Sequence, residues 1–180
     1  LPPLVFRLLT VKKSKIRKYP LTLKRFVYSL GSMLFFLTIM YFFLLPFTWL
    51  YFHIGKNTES KKLRYHKLLF TMAKVIVNKI PGVKFRLDNL VGEKFDKPAV
   101  IISNHLSHLD TLCLMTLCPK VIFLTNKWAW NNRFYGSVIH HAEFLPASDG
   151  LDAHLDDIKS LYNRGYSICI FPEGTRSLDH

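Results

Sequence analysis

The sequence predicts an α/β fold, a mixed sheet flanked by helices, preceded by an N-terminal membrane-embedded helix or re-entrant helical hairpin. Three observations predict it. From Val83 onward, short apolar runs alternate with helical stretches, the pattern of strands joined by helices. Residues 58 to 80 carry apolar side chains at helical spacing and stop at Pro81-Gly82. Finally, Phe26 to Phe52 contains no Asp, Glu, Lys or Arg, and the run is longer than the roughly 20 residues a helix needs to cross a bilayer core.

With 180 residues, 49% of them apolar, the chain can fill the core of one domain of ordinary size, which excludes a disordered chain. The charge-free run is read as membrane-inserted. A helix buried in a large soluble core is the alternative, and a secretory signal fits less well because the run is too long and no small-residue cleavage site follows. Residues 1 to 25 carry Arg7, Lys12, Lys13, Lys15, Arg17, Lys18, Lys24 and Arg25 and no acid, within a net charge of +13. Beside an apolar span such a cluster reads as a positive-inside signal drawn to anionic headgroups. A nucleic-acid arm is the competing reading, but the aromatic residues sit in the span and are not interleaved with the charges as a stacking platform requires. Lys56, Lys61, Lys62, Arg64 and Lys67 follow the span, so both flanks are basic and the orientation rule selects neither. A hairpin turning near Pro46 or after Gly55 would keep both on the cytoplasmic face, whereas a single crossing would put one outside. Cys113, Cys118 and Cys169 are too scattered for a disulfide framework and form no CxxC pair. They read as core thiols in a reducing compartment.

After the span, Tyr65, Leu69, Met72, Ile76 and Ile80 fall near one helical face, and Lys67, Lys74 and Asn78 on another. That helix could lie in a membrane interface or pack on a globular core. Strands are expected at 83 to 88, 98 to 103, 121 to 125, 143 to 146 and 166 to 171. A helix over 151 to 164 places Leu151, Leu155, Ile158 and Leu161 or Tyr162 in a stripe, with Gly165 as its stop.

The strand 98 to 103 (Pro-Ala-Val-Ile-Ile-Ser) delivers Asn104-His105 at its carboxyl end, where ligand sites in α/β sheets gather. Asp110 follows across a turn that opens the helix of Leu112, Leu114 and Met115, close enough for a bend to return its carboxylate to the imidazole. A carboxylate beside a histidine fixes the tautomer and stabilises the imidazolium as the histidine takes a proton. A substrate that brings its own hydroxyl needs no serine nucleophile. Spacing alone leaves the other reading open, in which Asp110 caps a helix and His105 is a loop residue. The second stretch, Phe171-Pro-Glu-Gly-Thr-Arg-Ser177, again follows an apolar strand. Gly174 allows backbone N–H groups to approach a ligand, and Arg176 offers a fork for phosphate or carboxylate.

Asn104-His105-x4-Asp110 together with Phe171-Pro-Glu-Gly-Thr-Arg resembles the two signature motifs of the glycerolipid and lysophospholipid acyltransferase family, over about Lys61 to the end. The resemblance implies transfer of a fatty acyl group from acyl-CoA or acyl carrier protein to a hydroxyl of a lysophospholipid or related lyso-lipid. His105 would act as base and Asp110 as its orienting partner. Asn104, Ser107, Glu173, Gly174, Thr175 and Arg176 would form the acceptor side, with Arg176 on an anionic headgroup, and thioester chemistry calls for no cofactor and no metal. Ser148 stands where the family usually carries an Arg closing its middle motif, which weakens glycerol-phosphate recognition and favours an acceptor such as a lyso-aminolipid. Lys127 and Arg133 are the candidates to replace that Arg.

The expected organisation is a basic juxtamembrane segment (1 to 25), a membrane anchor (26 to 55) and an acyltransferase domain (56 to 180) facing the cytoplasm at the cell's inner membrane. The chain opens on Leu1 and the family's later apolar motif lies beyond His180, so it reads as a piece cut from a longer polypeptide. The rival reading is a non-catalytic, membrane-docked lipid-binding or scaffold module. His140, His141 and Glu143 are too close together to converge on a metal. His108 reads as a neighbour of the site, and Trp128 and Trp130 as core, acyl-tunnel or lipid-contacting residues.

Overall fold

The computed structural model describes residues 6–8, 22–80, 85–89, 92–105, 107–133, 136–147, 150 and 152–172, with the side chains of 6–8, Arg25 and His108 excepted. The charge-free run is one continuous helical rod. Helix α1 (Leu23–Thr38) passes through a π-helical stretch, Ile39–Leu44, into α2 (Leu45–His53). Pro46 does not turn the chain. It has no N–H, and its ring would crowd the carbonyl four residues back. The wider π spacing, with the Leu45 N–H donating to Met40 O, carries the helix past it. The reversal comes after Gly55, whose φ of 73° glycine adopts without steric cost.

Helix α3 (Glu59–Lys79) begins where the Thr58 hydroxyl accepts from the Lys61 N–H, and ends as Ile80 turns extended ahead of Pro81, which disfavours the helical region in its predecessor. Tyr65, Leu69, Ile76 and Ile80 are buried, while Lys67, Lys74 and Asn78 face solvent. Of the two sequence readings, α3 follows the globular one, packing along α4 (His108–Met115).

The sheet has the order β1-β2-β5-β3-β4: β1 (Phe6–Leu8), β2 (Val100–Ile102), β3 (Val121–Thr125), β4 (Leu145–Pro146) and β5 (Ser167–Ile170). Among the described strands every pairing is parallel, narrower than the mixed sheet expected. Helices α4, α5 (Lys127–Trp130), α6 (Gly136–His141) and α7 (Leu155–Asn163) occupy the connections, and a helical crossover returns the chain to the edge it left, so successive strands run the same way. Ile101, Ile122, Phe123, Ile168 and Cys169 are at most 1% exposed, as central strands covered on both faces must be.

Three expectations are corrected. The strand over 83–88 does not form in its described part, 85–88. Leu87 is exposed, Arg86 pairs with Asp88 two residues on, and Asn89 closes the following loop on Glu93 through its side chain, so no partner strand is engaged. Leu155 is exposed because a 3-10 turn over Asp152–His154 precedes α7 and shifts the angular spacing that the stripe assumed. Phe6–Leu8, assigned only to a basic segment, pairs alongside β2.

The rod and the domain share one core. Met40, Leu44, Thr48 and Phe52, four residues apart, are buried, and the Thr48 and Tyr65 hydroxyls share a hydrogen bond of 2.8 Å. In α1, by contrast, no described side chain is buried. At the α3 end, Arg164 bridges Glu59 and Glu143, and Lys62 also reaches Glu143. Burial pushes the Glu143 carboxyl up, but hydrogen bonds from Arg164 and Lys62 more than offset this and hold it below the usual value.

Candidate active site

Because the strands are parallel, their carboxyl ends open on one edge, and two of the stretches singled out in the sequence meet there. Strand β2 leads through Ser103 into Asn104 and His105, and its neighbour β5, paired at Ile102 with Ile170, leads into Phe171 and Pro172. The Ser103 N–H donates to Ile170 O at 3.1 Å, so the two exits leave the sheet side by side. Asn104 is exposed and His105 half-buried.

Asp110 lies in the first turn of α4. Ser107 is the N-cap, its hydroxyl accepting from the Leu109 N–H, and the Ser107 N–H donates to Asp110 Oδ2 at 2.7 Å. That same oxygen faces His105 Nδ1 at 3.4 Å. The geometry therefore joins the two arrangements that spacing left open: Asp110 caps α4 and its carboxylate also faces the imidazole. The reciprocal cap, a Ser-x-x-Asp pairing, holds the carboxylate in front of the imidazole. The separation is longer than a tight charge-assisted hydrogen bond, in keeping with catalytic pairs that shorten when substrate is bound. His105 Nδ1 is buried without a hydrogen-bond partner.

The imidazole also lies against Phe171, with ring centroids 4.3 Å apart and planes at 31°. Sequence reasoning did not assign Phe171 a role, since a ring stacking on a residue 66 positions away leaves no local signal. Ser107 was grouped with the acceptor side, and its hydroxyl and N–H serve the cap. Glu173, Gly174, Thr175, Arg176 and Ser148 lie outside the described residues. Lys127 opens α5 just beyond the carboxyl end of β3, and both it and Arg133 are exposed.

The histidines near α6 are engaged elsewhere. His141 Nδ1 is 2.7 Å from Ser137 O and its ring packs on Phe52, while His140 packs on Trp130 and bonds its carbonyl. Trp128 is 61% exposed, which removes it from the core. A cavity of about 210 Å³ lined by Lys97, Cys118, Lys120, Gly165 and Ser167 opens at the amino ends of β3 and β5, the edge opposite His105.

The arrangement can hold a neutral imidazole with one nitrogen directed to a carboxylate, at the edge of a domain whose apolar rod is long enough to cross a membrane. The acyltransferase family model matches residues 82–180. Among solved structures, the chain resembles the 1-acyl-sn-glycerophosphate (LPA) acyltransferase PlsC from Thermotoga maritima, with a TM-score of 0.63 at 16% identity. That match covers 87% of this chain and 63% of the Thermotoga chain. No curated protein sequence matches.

Proposed function

Because the chain belongs to the acyltransferase family, we propose that it moves a fatty acyl group from a thioester, acyl-CoA or acyl carrier protein, onto a hydroxyl of a lysophospholipid or related lyso-lipid, with His105 as base. The observation that carries this reading is Asp110 Oδ2, pinned by the Ser107 N–H and turned toward His105 Nδ1. In this reaction Nε2 of His105 takes the proton of the acceptor hydroxyl as its oxygen attacks the thioester carbonyl carbon. Asp110 stabilises the imidazolium. The tetrahedral intermediate collapses with loss of the C–S bond, and the imidazolium returns its proton to the departing thiolate. The family resemblance gives Arg176 the acceptor's anionic headgroup, and Glu173, Gly174 and Thr175 the turn around it.

A lipid acceptor fits the rod. The turn between α2 and α3 sits near Glu143 and Arg164, which precede β4 and β5, so it lies toward the amino edge of the sheet. Running back from there, α2 packs through Phe52, Thr48, Leu44 and Met40, and α1 continues the rod beyond them. Its 16 residues extend about 24 Å at 1.5 Å per residue. A bilayer that took up α1 would hold the domain beside the lipid that carries the acceptor, at the cytoplasmic face of the membrane.

The test is acyl transfer by the protein, read as thiol release. His105→Ala should abolish it, and retained turnover would remove His105 from the role of base. A screen of lysophosphatidic acid against lyso-aminolipids addresses the acceptor. Preference for the aminolipid is expected from Ser148, and a strong preference for lysophosphatidic acid would mean that Lys127, Arg133 or another cation replaces the family's Arg.

A further inference from the structure

We infer that Phe171 is a positioning residue for His105, holding the imidazole plane so that Nδ1 stays turned to Asp110 and Nε2 to the acceptor. This rests on His105 being the base. The contact to Asp110 cannot fix the ring by itself. At 3.4 Å it is too long to resist rotation, and Nδ1 is without a hydrogen-bond partner. What does meet the ring is a flat aromatic face, at 4.3 Å and 31°.

That face is itself anchored. Phe171 stacks on Phe123, with centroids 6.1 Å apart and planes at 18°, and Phe123 meets Phe144 edge-on at 5.2 Å and 60°. Phe123 is 1% exposed and Phe144 6%, so both sit in a close-packed interior with little freedom to tilt. The column Phe144, Phe123, Phe171, His105 thus refers the imidazole to the core of β3 and the approach to β4, while the Ser107 cap refers the carboxylate to α4. Two independent supports fix the two members of the pair. Rotating the imidazole about its Cβ–Cγ bond would exchange the positions of its nitrogen and carbon atoms and point no acceptor nitrogen at the substrate, and the Phe171 face opposes this rotation.

The partner chemistry of the column is general. Aromatic faces also attract a cation, so the ring faces the imidazolium that forms during transfer as well as the neutral base. A leucine at 171 would fill comparable apolar volume without a flat face.

Three readings test the inference in the full-length protein: steady-state acyl transfer, thermal unfolding, and histidine ¹⁵N–¹H correlation spectra with the His105 signal assigned by its loss in His105→Gln. Phe171→Leu should lower kcat by about 10-fold to 100-fold, the scale of a misoriented catalytic group, with KM within about 2-fold. The single His105 tautomer pattern should become averaged, and Phe171→Tyr, which keeps the ring, should restore both. Unchanged kcat and an unchanged His105 spectrum in Phe171→Leu would overturn the inference. So would a loss of activity that follows a fall in unfolding temperature and is not restored by tyrosine. Activity surviving in His105→Ala would instead overturn the assignment of the base, and the spectra would still report whether Phe171 orders the ring.

Discussion

Asp110 offers the sharpest separation of structure from chemistry, because one oxygen serves both. Its Oδ2 accepts from the Ser107 N–H at 2.7 Å and faces His105 Nδ1 at 3.4 Å. Asp110→Asn keeps an oxygen able to accept from Ser107 and removes only the charge. Losing a negative charge in the first turn of an exposed helix costs about 0.3–1 kcal/mol, and a side chain only 30% exposed places this change at the upper end, about 1 kcal/mol. Asp110→Ala also removes the capping bond, for a total of about 1–2 kcal/mol. Catalysis should not follow that order. Without the carboxylate the imidazolium loses its stabilising partner and the tautomer its guide, so both variants should lose about 10²-fold to 10⁴-fold in kcat, or about 3–5 kcal/mol of transition-state stabilisation. Urea unfolding and initial rates of thiol release, measured on the same preparations, make the comparison. If Asp110→Asn retained rates within a few-fold of the parent while Asp110→Ala lost both stability and rate, Asp110 would be a cap alone and the His–Asp pair would have no catalytic meaning.

Three further outcomes are expected. His66 is buried, and burial pushes its imidazole down from 6.5 to about 4 despite the opposing pull of Glu143 and Glu59, with Arg164 and Lys62 adding to the depression. The unfolded chain therefore binds the extra proton between these values, and stability present above pH 6.5 falls as pH drops toward 4, by at most about 3 kcal/mol. His66→Phe should flatten that limb in urea titrations run at a series of pH values, and an unchanged limb would show that His66 does not produce it. Arg164→Met leaves Glu59 and Glu143 without their shared cation and removes the guanidinium from over the Tyr166 ring. With the pair 20–28% exposed, the cost should be about 2 kcal/mol, between surface and fully buried pairs, and a loss below about 0.5 kcal/mol in chemical denaturation would contradict it. Phe42, Phe43 and Trp49 are 74%, 64% and 59% exposed. Changing all three to Ser should remove on the order of 5 kcal/mol of apolar transfer to lipid and weaken vesicle flotation while leaving the unfolding temperature unchanged, and flotation equal to the parent's would show that these three side chains do not enter lipid.

The strands β2, β3 and β5 were legible because a buried parallel strand is written as a largely apolar run, and the helix α3 because its apolar period holds from Tyr65 to Ile80. Asp110 as a helix cap was legible too, but Ser107 as its reciprocal partner was not, since the sequence reading gave Ser107 to the acceptor side. That the capping carboxylate also faces His105 is a tertiary relation that the spacing alone left open. The apolar character of 83–88 misled for the opposite reason: short runs satisfy a strand pattern without saying whether a partner strand is free to pair with them. Pro46 suggested a turn because proline usually breaks a helix, and a local change in hydrogen-bond register absorbed it. Phe171 sat at the head of a recognised motif, yet its contact with His105 arises only where β5 lies beside β2, a neighbour relation that the strand order creates and the linear sequence hides.

The boundary drawn at 55/56 is one of composition, and side-chain packing crosses it. Phe52 packs against Tyr65 and His141, and Thr48, with no exposed surface, hydrogen-bonds the equally buried Tyr65. Burial pushes the Tyr65 phenol up, so its proton stays in place, and the hydroxyl must find a partner inside the protein. Removing α2 would strand that hydroxyl and uncover the Tyr65 ring. Removing α1 would uncover less, since Phe36 packs against the core while most of its other apolar side chains are already exposed. The packing of the rod on the domain therefore begins well before residue 55, with Phe36 against the core and Met40 and Leu44 buried in the π-helical stretch Ile39–Leu44. Upstream of that stretch the helix leaves most of its apolar side chains exposed, and downstream it presents Thr48 and Phe52 to the core while Phe47, Trp49 and Leu50 stay exposed.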